Sequence, residues 1–99
     1  MAEFNVFITF DLTGTNTLYD EFYEETEKIG FSKYIPAKYV YEKRDLSLPN
    51  TTIFSHKIAN DSSTLRDDIR SKINNIYQKI GARGKFIVII SQNWGTNVV

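Results

Sequence analysis

Few residues in this 99-residue chain have the type and placement to do chemistry, and the sharpest of them is a carboxylate. Phe10-Asp11-Leu12 closes an alternating run that Thr13-Gly14 then breaks, so Asp11 stands at an expected strand end, on the face opposite Phe4, Val6, Ile8 and Phe10. Two copies related by a twofold would bring two such carboxylates around one Mg²⁺, which prefers hard oxygen ligands and keeps several waters. The same side chain has a plainer use, accepting the Thr13 and Gly14 amides in an Asx turn. On the residues alone the turn is the simpler role.

Two further groups invite a chemical reading. His56 shares an expected strand face with Phe54 and Ile58; an imidazole there could serve as a general base, although a histidine beside apolar neighbours more often serves a core or an interface. Lys38, Lys43 and Arg44, with Tyr39 and Tyr41 between them, form an aromatic and basic stretch suited to stacking on and neutralising single-stranded nucleic acid. Lysines guarding an edge strand account for the same residues. Arg66, Arg70 and Lys72 read as the solvated side of a helix, and Trp94 as an anchor for a partner or a lid on its own core.

Much else is excluded. Without cysteine there is no disulfide framework, thiolate nucleophile or cysteine zinc site, and one histidine argues against zinc altogether. No Gly-rich phosphate loop, nucleophile elbow or paired-histidine spacing occurs, so no organic cofactor is expected. Lys plus Arg and Asp plus Glu both total 12, which leaves no overall field to attract a polyanion. The distribution is uneven, with seven acids against Lys28 alone in residues 1–32, and eleven basic residues against five acids in 33–99. The start of the chain lacks the basic and apolar regions of a signal peptide, and no stretch approaches the roughly 20 apolar residues of a membrane span. A cytoplasmic protein with no membrane partner is expected.

The elements that must position these residues follow from periodicity. The length holds one domain over 1–99, because two cores would each be too small. A first strand spans Phe4 to Asp11. A helix should start at the shortened capping box Thr17-Leu18-Tyr19-Asp20, carry Leu18, Phe22, Thr26 and Ile29 inward, expose its acids and stop at Gly30. An edge strand is expected from near Ala37, since Pro36 cannot donate to a ladder; a loop over 43–50 and a strand over Thr52–Ile58 complete a hairpin. Asn60 to Thr64 offer several caps for a second helix with Leu65, Ile69, Ile73, Ile76 and Ile80 on one face, ended by Gly81. Phe86-Ile87-Val88-Ile89-Ile90 makes a strand, and the tail from Gln92 is a candidate short fifth one.

Strand, helix, hairpin, helix, strand is the order of an α+β, ferredoxin-like βαββαβ sandwich, an antiparallel sheet with two helices on one face. The last strand would then lie at an edge with one face open, yet Phe86 to Ile90 is apolar on both sides. Something should cover the second face, and a second copy of the chain is the simplest candidate.

Ile8-Thr9-Phe10-Asp11-Leu12, Lys28-Ile29-Gly30-Phe31, Thr51-Thr52-Ile53-Phe54, Leu65-Arg66-Asp67-Asp68-Ile69-Arg70 and Phe86 through Gly95 together resemble the SinR-like family of small bacterial proteins. That family is similar to VapD, GhoS and the small CRISPR adaptation subunit. The resemblance implies a homodimer packed sheet to sheet, and it implies that Asp11 is the metal-binding and catalytic residue of a Mg²⁺-dependent ribonuclease of toxin–antitoxin type. Thr13, Ser91 and Asn93 would then be positioning groups, and RNA or a protein the partner. The alternative of another class is a dimeric module with no catalysis, binding nucleic acid or protein.

Overall fold

In the computed structural model, the described residues are 2–13, 17–36, 46–48 and 51–92. They form β1 (Ala2–Phe10), α1 (Thr17–Lys28), β2 (Tyr34–Ile35), β3 (Leu46–Ser47), β4 (Thr52–Ala59), α2 (Ser62–Ile80) and β5 (Phe86–Ser91). The main sheet is antiparallel in the order β4-β1-β5, and β2 and β3 make a separate two-stranded pair. The described residues therefore make a small α+β fold with two helices and a three-stranded antiparallel sheet.

Alternation places β1 as expected. Phe4, Val6, Ile8 and Phe10 are all buried toward the helices, while Thr9 on the other face is exposed. α1 begins at Thr17 and buries Leu18, Phe22 and Thr26. The Thr26 hydroxyl donates back to the carbonyls of Phe22 and Tyr23, which lets a polar side chain sit in the core fully paired. The helix stops at Gly30, whose φ of 92° turns the chain so that the Phe31 amide returns to the Thr26 carbonyl.

α2 is the longest element. Asp61 caps it, accepting from the Thr64 amide at 2.7 Å, and left-handed Gly81 closes it. Leu65, Ile69, Ile73 and Ile76 are buried as the stripe requires, and Tyr77 joins them. An aromatic chain then crosses every layer of the core. Phe10 lies 4.3 Å from Phe22 between ring centroids, Phe22 5.7 Å from Tyr77, and Tyr77 5.5 Å from Phe86. Outside the core, Glu25 pairs with both Lys28 at 2.8 Å and Lys79 at 2.7 Å. One of the α1 acids thus ties the two helices together instead of only facing solvent, and those lysines hold its pKa below the ordinary value, Lys28 first.

The hairpin departs from expectation. β2 ends at Ile35 because Pro36 has no amide to extend the ladder, and it pairs with Leu46–Ser47, inside the stretch expected to be loop. The edge strand expected from Ala37 and the candidate fifth strand after Gln92 lie outside the described residues. Ser32 nevertheless forms a two-way bridge with Phe54, each amide donating to the other's carbonyl at 2.8 Å, so the chain leaving α1 meets the outer side of β4.

Candidate functional site

Asp11 leaves β1 in a corner built from distant sequence. Its amide donates to the Lys85 carbonyl at 2.8 Å, and the Tyr77 hydroxyl donates to the Asp11 carbonyl at 2.9 Å. Burial pushes the Tyr77 phenol up to about 12, so the hydroxyl keeps its proton and remains a donor. The Asp11 residue is exposed, which leaves its carboxylate facing water from a firmly held backbone. The Thr13 amide donates to the Arg83 carbonyl at 2.7 Å. It is therefore not capping Asp11, which corrects the Asx turn; Gly14 lies outside the described residues.

Among the described residues no group of three or more His, Cys, Asp or Glu side chains is placed to hold a metal ion. Among the described residues one chain supplies no acidic cluster with Asp11, so those residues of a single copy do not make a Mg²⁺ site. Thr13 is exposed two residues beyond Asp11. Ser91 pairs with Asn5, six residues before Asp11 along β1. At about 3.3 Å per residue it stands about 20 Å away, so the structure does not bring it to the same chain's Asp11. Asn93 and the basic stretch of Lys38, Tyr39, Tyr41, Lys43 and Arg44 lie outside the described residues, as does Trp94. Just before that stretch, a cavity of about 230 Å³ between α1 and β2 is lined by Tyr23, Phe31, Lys33 and Tyr34, with the Lys33 ammonium 4.3 Å from the Tyr23 ring centroid.

The sheet face away from the helices combines apolar exposure with a polar row. Ile58 and Ile87 are each 62% exposed and Ile89 49%. Phe7 and Phe54 pack between them with ring centroids 5.3 Å apart. Across the sheet the register aligns His56, Asn5 and Ser91 on neighbouring strands. Glu3 reaches His56 at 3.4 Å from Oε1 to Nε2. Asn5 is buried, and among the described residues its Oδ1 has no hydrogen-bond partner. An orphaned acceptor of this kind costs about 1–3 kcal/mol.

A second site went unseen in the sequence. On the helix side of β4, Ile53 and Ser55 are buried and Lys57 follows them at the same parity. The half-buried Lys57 ammonium donates to the Ile29 carbonyl at the end of α1 and lies 5.3 Å from the Phe31 ring centroid. A Cβ at Gly30 would come within 2.9 Å of Lys57 Nζ, so glycine leaves room for the ammonium. Lys57 lines a cavity of about 190 Å³ together with Phe31, Leu65, Asp68, Ile69 and Lys72. Burial lowers its pKa from the usual lysine value, Lys72 lowers it further by repulsion, and Asp68 opposes both. The one signal available in sequence was a charge at an inward position of a strand.

No protein-family model matches the chain, and no curated protein or solved structure matches it. The likeness to SinR-like proteins rests on the residues quoted for it. Among the described residues no helix is long and apolar enough to cross a membrane.

Proposed function

We propose that this chain is a homodimeric interaction module of ferredoxin-like topology, in which two copies meet through their open sheet faces. The observation that carries the reading is the face itself, where Ile58, Ile87 and Ile89 are exposed around a polar row containing the orphaned Asn5 acceptor. Apolar surface gathered on one face is a liability unless a partner covers it, and a buried polar row fixes how two such faces register. The topology is supported by the order β4-β1-β5 with Ser32 bridged to the outer side of β4, where a fourth strand belongs.

Light scattering at micromolar concentration should report twice the chain mass. Replacing Ile87 and Ile89 together by lysine should give a monomer with an unchanged circular dichroism spectrum, because both side chains point away from the core. A wild-type monomer at that concentration would remove the proposal.

A ribonuclease reading remains attached to Asp11, favoured by an exposed carboxylate on a backbone fixed by Lys85 and Tyr77. In it, two copies supply paired Asp11 side chains for Mg²⁺, Thr13 and Asn93 help position RNA, and Lys38, Tyr39, Tyr41, Lys43 and Arg44 bind its backbone and bases. Asp11→Asn should then keep fold and mass while abolishing Mg²⁺-dependent cleavage of RNA, and EDTA should do the same to the wild type. Purified wild-type protein that cleaves no RNA with Mg²⁺ or Mn²⁺ would end this reading and leave the interaction module.

A further inference from the structure

We infer that the cavity between β4, the end of α1 and the first half of α2 binds a small carboxylate with an apolar body, its charge held between Lys57 and Lys72. The argument begins with Lys57. An ammonium has three donors, and among the described residues Lys57 is bonded only through the Ile29 carbonyl. It is half-buried and lines the cavity, so an acceptor entering there would meet its remaining donors. Lys72 brings a second positive charge to the same wall, and Asp68, at 3.1 Å from Lys72, compensates one of the two. The wall is left one negative charge short of neutral.

The remaining surface decides what carries that charge. Phe31, Leu65 and Ile69 are buried apolar residues, and they line the rest of the cavity. A compact, strongly hydrated anion such as phosphate would make no contact with them, whereas an alkyl or aryl carboxylate packs its body against them and pairs with the amines in one step. The volume of about 190 Å³ compares with the roughly 150 Å³ that accommodates benzene in an engineered apolar cavity. A ligand the size of benzoate or hexanoate therefore fits. Gly30 belongs to the same design, since a side chain there would push against the Lys57 amine.

Hexanoate titrated into ¹⁵N-labelled full-length protein should give saturable shifts of the Phe31, Lys57 and Ile69 amides, with a dissociation constant at or below about 1 mM. Lys57→Met should weaken binding by about tenfold or more, and Lys72→Met by severalfold. Lys72 is solvent-facing, with its side chain 51% exposed, so its variant keeps the test decisive if Lys57→Met fails to fold. Hexanol binding as tightly as hexanoate would overturn the inference by showing an apolar cavity indifferent to charge. Inorganic phosphate binding as tightly would overturn it too, as would the absence of saturation or hexanoate affinity unchanged in Lys72→Met.

Discussion

Gly84→Ala is expected to destabilise the protein by about 3–5 kcal/mol, read as a lowered urea midpoint with little change in slope. Gly84 has a φ of 136°, where an L side chain is strained wherever it is placed. The added Cβ would also lie 2.0 Å from the Asp11 carbonyl oxygen and 2.8 Å from its carbon. Backbone cannot swing aside as a side-chain tip can. Relief would have to separate residues 83–85 from the end of β1, and that joint holds the Asp11–Lys85 and Thr13–Arg83 bonds and the bond from Tyr77 to the Asp11 carbonyl. Gly81→Ala is the control. Its φ is 72°, but nothing lies within 4 Å of its added Cβ, so only the left-handed conformation is penalised, at about 1–2 kcal/mol. Equal losses for the two variants would show that the close approach at Gly84 does not govern stability.

Ile73→Ala should cost about 2–5 kcal/mol, because it removes a fully buried branched side chain from the middle of α2 and leaves a cavity. Ile69 and Ile76 lie one turn away on either side, so the void opens within the stripe that seats the helix on the sheet. A denaturant midpoint unchanged from wild type would mean that this stripe does not face the core.

Local periodicity made the supports of the candidate site legible, and non-local contacts hid its details. Alternation in Phe4–Phe10 and the stripe from Leu65 to Ile76 each name their buried face from residues only two to four apart, and both agree with the structure. The stop at Gly81 is readable for the same reason, whereas of the several caps offered by Asn60 to Thr64 the structure selects Asp61. Thr13 was misassigned because its amide has a choice between a neighbour's carboxylate and the Arg83 carbonyl, and only the folded chain brings the latter within reach. Gly84 carries no local signal of its contact with Asp11. Lys57 was passed over because strand parity alone does not tell a snorkelling lysine from one drawn to the carbonyl end of α1. β3 escaped notice at two residues, too short for any period to register.

The position of β1 between β4 and β5 also dictates the order in which the protein can be built during synthesis. Its pairing partners run from Thr52 to Ala59 on one side and from Phe86 to Ser91 on the other, so β1 pairs with β4 across 43 to 57 residues and with β5 across 76 to 86. Contacts so distant along the chain close slowly, whereas α2 can form from its own neighbours as soon as it leaves the ribosome. The apolar strand that becomes the centre of the sheet is consequently made first and matched last. Throughout that interval Phe4, Val6, Ile8 and Phe10 have no permanent shelter, and a nascent chain in that state is the form of this protein most dependent on a chaperone.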